Sequence, residues 1–584
     1  MTVEGEGAAL LDGIAFFADL GEDERAAVVE HGQWYSLPGG HMLFAQGEPG
    51  DALYVVLRGG LSIVRVAPDG VRRRIARVRA GEVVGEMALV TGRARSASAI
   101  AERDCEILRL DRAAFEALVH RHPEAMLGVT RQIVTRLEAI QDHPGGTPPI
   151  RPRSIALLPA GSARDCTALR RDLARAMRLY GRVAEIGESE GGNRQTDWFH
   201  DIETANDYIL YQADETAGPW SSLCLRQADL VLVVADADDT RAGHRHPLEA
   251  TARERGLGLE LVLLHPHDRL TPSGTAAFLE GRDLALHHQV RVGDWGDSAR
   301  LARQVTGHAV GLVLSGGGAR GFAHLGVLRA LAEAGVPIDM VGGCSIGAIV
   351  GAGAALRWEA FEAEPRFRRA FVDTNPVNDF TLPLIALTAG RRVSRRLREA
   401  FGERRIEDLW LPYYAVSTDL TAGRLAVHRH GPLWSWLRAS VAIPGIMPPW
   451  VDEAGTVFAD GGVLDNLPVT PMRRLGRGAI IAVDVGEAPA FSAPGARPEE
   501  SSFERVILRR RPRMPSIFQI LLRAGTVKSP AGDLLGAGLA DLLLRPPVES
   551  VDFLDWKAFD RALAIGLDHA RKELDQAPAC VFGR

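Results

Sequence analysis

Lysine is nearly missing from this chain. Lys528, Lys557 and Lys572 are its only lysines, among 68 basic residues. The first 527 residues therefore hold no Walker A loop, which needs Gly-Lys-Ser/Thr to grip nucleotide phosphates. Lysine Schiff-base chemistry is excluded there too. Cysteine is sparse: Cys105, Cys166, Cys224, Cys344 and Cys580 form no CxxC pair, so neither a disulfide framework nor a zinc site is expected, and no metal is called for. No apolar run approaches the ~20 residues that span a bilayer. The opening MTVEGEGAALLDG lacks the basic start of a secretory signal. Basic excess is also missing: the net charge is −6, which argues against a nucleic-acid partner. The expectation is a cytoplasmic protein, with peripheral contact at the inner face of the cell membrane still open to it.

What is present suffices for several cores. A hydrophobic share of 46% over 584 residues predicts about three to five domains. The run His143 to Arg153, HPGGTPPIRPR, reads as a linker. Before it, ALYVVL, LSIVRV and CEILRL alternate with turn signals, the pattern of a β-barrel or jelly roll with flanking helices. Asp111 caps one such helix, and a second is expected from Met126 to Ile140. Between Ser154 and His308, apolar runs alternate with helical stretches, as in a parallel α/β domain. Its first strand leads into AGSARD, which has no P-loop glycines. A third region opens at Ala309 with strand, glycine loop and amphipathic helix, then strand DMVGG, a sharp turn at CSIG and a further helix. The expected domains are 1–143, 154–308 and 309–584, the middle one a linker or scaffold without a P-loop.

The chemistry concentrates in the third region. Ser345 lies in Gly343-Cys344-Ser345-Ile346-Gly347, a GxSxG between strand and helix. Such a bend needs small flanking residues and pushes the serine hydroxyl outward. Gly316, Gly317 and Gly318 precede Arg320 and Gly321. Their N–H groups suit an oxyanion, while Arg320 either holds the loop or meets a phosphate. Gly316, Gly318 and Gly321 also fit a dinucleotide fingerprint. That rival needs an acid at the end of the second strand, and Asp339 precedes that strand. Asp460, in FADGG at the end of an apolar run, is a carboxylate placed to be desolvated and to serve as base. The only histidine after it, His569, sits among charged helical residues, so a Ser–Asp dyad is expected rather than a triad.

With its arginine-bearing glycine loop, GxSxG elbow and Asp-Gly-Gly in order, residues 309–584 resemble patatin-like phospholipases. The resemblance implies a three-layer α/β fold and metal-free lipid acyl-ester hydrolysis. Ser345 would be the nucleophile, Asp460 the base, and Gly316 to Gly318 the oxyanion donors. Cys344 stands where the family often has threonine, and RASVAIPGIMPPW, Arg438 to Trp450, resembles the family's stretch ahead of the aspartate. The N-terminal region resembles a cyclic nucleotide-binding domain. Its cassette is Gly85 and Glu86, then Arg95 and Ser96, with arginine for the cyclic phosphate and Glu86 for the ribose hydroxyl. The implied ligand is cAMP or cGMP, acting as a regulator. The combination resembles bacterial relatives of neuropathy target esterase, without the membrane-spanning N-terminal helix of the animal members. It implies phospholipid or lysophospholipid substrates met at a membrane surface, and no cofactor.

One more segment bears on lipid. Glu504 to Gly525 sets Arg509, Arg510, Arg511 and Arg513 before an amphipathic stretch, which suits either anionic headgroups or a packing helix. A reading of a different class is a cyclic-nucleotide sensor whose lipase-like domain serves mainly to bind a partner.

Overall fold

The computed structural model describes residues 32–66, 72–121, 152–161, 166–239, 243–375, 378–382, 384–486 and 538–583, with Leu11, Ile14, Gly21 and Val28 before them. The expected helix at Met126 to Ile140, most of the linker, and the arginine-rich Glu504 to Gly525 lie outside the described residues. The chain forms two compact units, Met1–Leu264 with Asp283–Ala285, and His265–Arg282 with Leu286–Arg584. Among the described residues no helix is long and apolar enough to cross a membrane.

The first unit begins with the predicted β-sandwich. Strands Gln33–Leu37, Cys105–Asp111, Ala52–Arg58 and Val83–Val84 form one antiparallel sheet, and Met42–Phe44, Ser98–Ala101, Gly60–Val66 and Arg72–Arg79 the other. Alternation places Leu53, Val55, Leu108 and Leu110 in one buried cluster, and Val56, Leu61, Val78 and Ile107 in a second. Asp111 caps the helix Arg112–Arg121 by accepting the Ala114 N–H at 2.8 Å. An α/β part follows. Its strands Val183–Ile186, Tyr208–Gln212, Ser154–Pro159, Leu230–Asp236 and Gly258–His265 run parallel in that spatial order. The central strands Ser154–Pro159 and Leu230–Asp236 are near-continuous apolar runs and are buried along almost their whole length.

Within this unit the β-sandwich is tied to the α/β part by a buried ionic cluster. Asp229 accepts hydrogen bonds from Arg103 at 2.6 Å, Arg77 at 2.8 Å, and the N–H groups of Arg153 at 2.9 Å and Ser154 at 3.1 Å. Arg103 also pairs with Glu203, and Arg226 donates to Asp104 at 3.0 Å. Burial alone would raise the Asp229 carboxyl, but the two guanidiniums and two backbone donors outweigh it and hold it well below the usual range.

The second unit carries a mixed eight-stranded sheet. Its main elements in chain order are β1 (Ala309–Leu314), α1 (Ala323–Glu333), β2 (Met340–Cys344), α2 (Ile346–Ala355), α3 (Ala360–Phe367), α4 (Arg391–Phe401), β3 (Tyr413–Asp419), β4 (Arg424–His428), α5 (Leu433–Ser440), β5 (Val457–Asp460), β6 (Gly478–Val483), β7 (Leu542–Leu544) and α6 (Phe559–Leu574), and the eighth strand is the short Trp450–Val451, paired with β5. β3, β2, β1, β6 and β7 are parallel neighbours. β5 pairs antiparallel to β3, opposing Asp460 to Ser417. Helices pack closely where glycine permits: a Cβ at Gly326 of α1 would lie 2.0 Å from the Leu563 carbonyl oxygen of α6, and one at Gly566 would lie 2.1 Å from that of Ala323. Asp339, the acid of the dinucleotide rival, is instead a structural clamp. It takes both prongs of Arg303, at 2.9 and 2.7 Å, and the Val310 N–H at 2.9 Å.

The Asp229 cluster generates a stability prediction. Asp229→Ala removes the carboxylate that Arg77 and Arg103 share and leaves each with one acid, Glu102 and Glu203, so the first unit is expected to lose about 2–3 kcal/mol, read by calorimetry. Because the folded-state carboxyl lies below its unfolded value, its contribution is present above the unfolded pKa and disappears as pH falls through the folded one. The wild type should therefore lose this contribution under strong acid and keep it at pH 5 and above. An unchanged melting profile for the variant at neutral pH contradicts the assignment.

Candidate active site

The strand–turn–helix at β2 and α2 sets the first group. Ser345 occupies φ 54°, ψ −125°, left-handed backbone that a non-glycine residue adopts only under constraint. The constraint is local crowding. A Cβ at Gly343 would approach the Gly347 carbonyl carbon to 2.6 Å, and one at Gly347 would come within 2.4 Å of the Leu314 oxygen. The Ser345 N–H donates to Ser440 Oγ at 2.9 Å. Ser440 ends α5 and belongs to the Arg438 to Trp450 stretch noted in the sequence.

Asp460 ends β5. Its own N–H is fixed by the Ala442 carbonyl at 2.9 Å, and its carbonyl accepts from Thr418 Oγ1 at 3.0 Å. With the backbone pinned, Oδ2 accepts from Ser345 Oγ at 2.8 Å, while Oδ1 accepts the Gly462 N–H at 2.8 Å and faces Cys344 Sγ at 3.7 Å. Burial pushes this carboxyl up to about 6, and the donors from Gly462, Ser345 and Cys344 only partly offset it. Burial likewise drives the Cys344 thiol well above its ordinary value, so it remains a neutral thiol.

The glycine loop completes the constellation. Gly316 has its N–H committed to the Asn466 carbonyl at 3.2 Å, and the Asn466 amide returns a bond to the Gly316 oxygen at 3.1 Å. Among the described residues the N–H groups of Gly317 and Gly318 have no such partner, so the three donors expected from sequence narrow to two. Gly318 has φ +58°, and a Cβ there would strike the Phe553 carbonyl at 2.3 Å. Arg320 donates from Nε to the Val551 carbonyl at 2.8 Å, which resolves its two readings toward holding the loop. His324 on α1 bonds the Ser315 carbonyl at 2.9 Å, and burial brings it down to about 4. His569 lies on α6 and accepts the Arg545 N–H at 3.1 Å, apart from these contacts. Asn466 and Ser440 escaped the sequence reading because each acts through one bond to the backbone, which no spacing rule marks.

Ser345 and Gly318 line an apolar cavity of about 910 Å³, counting its open mouth. Its walls include Ile346 and Ile349 from α2, Phe367 from α3, Leu397 from α4, and Ile443 and Met447 from the loop after α5. Besides Ser345, only Arg366 and Arg396 bring charge or a hydroxyl to that lining.

The β-sandwich holds the other predicted group of residues. Arg95 is buried and donates to the Gly85 carbonyl and the Ala52 carbonyl, both at 2.8 Å, with its guanidinium 4.3 Å from the centre of the Phe44 ring. Its Nε is buried without a hydrogen-bond partner. Gly85 has φ +91°, and a Cβ there would meet Arg95 Nη1 at 2.3 Å. Glu86 is buried at the start of the short helix Glu86–Thr91, and Ser96 is exposed.

Known proteins share these parts. The patatin-like phospholipase profile matches residues 312–473, the cyclic nucleotide-binding domain residues 35–122, and the Neuropathy Target Esterase family P-loop like domain residues 153–310. The chain is 30% identical to patatin-like phospholipase domain-containing protein 6 of Pongo abelii, over 92% of this chain and 44% of that protein. It is 31% identical to neuropathy target esterase sws of Drosophila melanogaster, over 78% and 36%. Lysophospholipase NTE1 of Coccidioides immitis is 29% identical, over 93% and 40%. The chain thus spans less than half the length of these curated relatives.

The raised Asp460 carboxyl has a measurable consequence. Covalent labelling of Ser345 by a phosphonofluoridate needs the ionised carboxylate as base. Its rate is expected to rise with pH through about 6 and then level off. A rate independent of pH between 4.5 and 8 contradicts the pairing.

Proposed function

The chain belongs to the patatin-like phospholipases that carry a cyclic nucleotide-binding domain and the P-loop-like domain of the neuropathy target esterase family, and from that premise we propose that it is a serine esterase hydrolysing acyl esters of phospholipids or lysophospholipids. The observation that carries this reading is the 2.8 Å bond from Ser345 Oγ to Asp460 Oδ2, on a strained elbow that opens into an apolar cavity.

In the proposed mechanism Ser345 Oγ attacks the ester carbonyl as Asp460 takes its proton. The oxyanion meets the N–H groups of Gly317 and Gly318, each worth on the order of 3 kcal/mol in such sites. Collapse expels the alcohol, protonated by Asp460, and leaves an acyl-enzyme. Asp460 then deprotonates a water that releases the fatty acid. A carboxyl pushed up to about 6 suits both steps, since it is ionised at neutral pH yet basic enough to receive a proton. The apolar cavity takes the acyl chain. A module that only bound a partner would need neither the dyad nor the cavity.

The β-sandwich is proposed to bind cAMP or cGMP as a regulator, through Gly85, Glu86, Arg95 and Ser96. The buried, unpartnered Arg95 Nε supports this, because a cyclic phosphate oxygen would satisfy it. The domain limits are proposed at 1–143, 154–308 and 309–584. The location is proposed as cytoplasmic, with peripheral contact at the inner face of the cell membrane.

Ser345→Ala and Asp460→Asn are each expected to cut hydrolysis of a short-chain aryl ester by about 10³-fold or more, while His569→Ala retains it. A collapse in the histidine variant points to a triad instead. Calorimetric titration with cAMP and cGMP should show binding that Arg95→Ala weakens at least ~10-fold, the loss of a charge-assisted bond. Equal affinity in the variant refutes the nucleotide site.

A further inference from the structure

The second unit concentrates its most exposed apolar side chains in one stretch of sequence, with Leu270 apart from it. Six described large hydrophobic residues are more than 70% exposed, and five of them fall between 361 and 385: Phe361, Phe380, Leu382, Leu384 and Ile385. Four of these belong to a hairpin-like loop. Phe380 bridges Thr388, the Thr381 N–H donates to the Leu387 carbonyl at 3.0 Å, and the Ala389 N–H donates to the Asp379 carbonyl at 2.8 Å. Leu382, Leu384 and Ile385 lie in sequence between these bonded residues. Monomeric proteins rarely expose such a contiguous apolar group without a use for it.

The loop is anchored on the walls of the acyl cavity. The N–H groups of Leu387 and Thr388 donate to the carbonyls of Gly445 and Ile446, both at 2.9 Å, and Ile446 lines the cavity. Phe361 lies on α3, which supplies Arg366 and Phe367 to the same cavity. Immediately after the loop comes α4, RRVSRRLREAF, with five arginines and one glutamate. Val393, Leu397 and Phe401 are its buried face. Arg391, Arg392, Arg395 and Arg398 are exposed, and among the described residues Arg391 and Arg392 have no carboxylate within ion-pair distance.

We propose that the hairpin residues 379–382 and 384–389 and the basic face of α4 together dock this chain on an anionic phospholipid bilayer, with Leu382, Leu384 and Ile385 entering the acyl region and Arg391, Arg392 and Arg395 meeting headgroup phosphates. The occupant follows from charge and continuity. Exposed aliphatic side chains beside unpaired arginines match an apolar layer edged by phosphates. α4 also gives Val393, Leu397 and Phe401 to the cavity that holds Ser345, and the hairpin is bonded to Ile446 in the wall of that cavity, so the docking surface adjoins the acyl site. The proposal rests on the lipid-esterase reading for its substrate. It locates contact at a segment different from the arginine-rich Glu504 to Gly525.

The test uses the full chain and phosphatidylcholine vesicles with or without phosphatidylglycerol. Leu382→Ser, Leu384→Ser and Ile385→Ser, combined in one variant, should reduce vesicle co-sedimentation at least ~10-fold, since three aliphatic side chains lose their burial. Arg391→Gln, Arg392→Gln and Arg395→Gln, combined in a second, should remove the preference for phosphatidylglycerol and the sensitivity to salt. Both variants should hydrolyse a water-soluble aryl ester at the wild-type rate while losing turnover of vesicle-embedded lysophospholipid. Wild-type sedimentation by both variants overturns the proposal. So does a hairpin variant that binds vesicles normally but converts a dimer to a monomer, which makes the face a self-association surface. If the wild type hydrolyses no ester yet the hairpin still governs vesicle binding, docking stands and the esterase reading fails.

Discussion

The bond from Ser345 to Asp460 depends on what is withheld from the carboxylate. Among the described residues no guanidinium or ammonium is paired with Asp460, and its donors are one backbone N–H, one hydroxyl and a weak thiol. The buried acids elsewhere are treated differently. Asp229 takes two arginines, and Asp297 is paired with Arg300, Arg291 and Arg357. Both are held below their ordinary range despite burial, while Asp460 is pushed above it. The difference between a structural carboxylate and a proton acceptor here is a missing cation.

Keeping Asp460 in that state requires the backbone to deliver the groups. Asp460 is pinned by Ala442 and Thr418, Ser345 by Ser440, and the glycine loop by Asn466 and Val551. All but the last of these pins are neutral hydrogen bonds, and the last aims the Arg320 guanidinium at the Val551 carbonyl and not at the carboxylate, so the site gains rigidity without a cation on Asp460. Glycines permit the approach. At Gly316 a side chain would fall 3.0 Å from the Ser345 Cβ, and at Gly461 it would fall 3.0 Å from the Cys344 sulfur. The thiol at position 344 fits this economy: it fills space beside the carboxylate and donates only weakly to it.

Much of this was legible beforehand because it is written in local pattern. Alternating strands such as ALYVVL, the Asp111 cap, and the order strand, glycine loop, helix each have one short-range cause. The Ser345 turn was readable because crowding at a strand-to-helix bend demands glycine on both sides. Asn466, Ser440 and the division of labour among the loop glycines were not readable. They depend on which N–H is already spent, and that follows from long-range packing. The exposed hairpin was equally silent. The run TLPLIALTAG has no period that marks which side chains face water, and only the fold leaves Leu382, Leu384 and Ile385 outside.

The scarcity of lysine now has a structural counterpart. Buried or half-buried cations here act as forks: Arg303 grips both oxygens of Asp339, Arg103 spans Asp229 and Glu203, and Arg95 spans the carbonyls of Gly85 and Ala52. An ammonium offers no planar pair of donors and gives up its proton readily when buried. Burial lowers Arg95, Arg320 and Arg438 as well, but from a starting value so high that all three stay charged. Arginine therefore lets the chain bind its interior carbonyls and carboxylates with fixed positive charge, and each acid so paired is removed from proton chemistry. Asp460 stands out because the same device is applied around it and not to it.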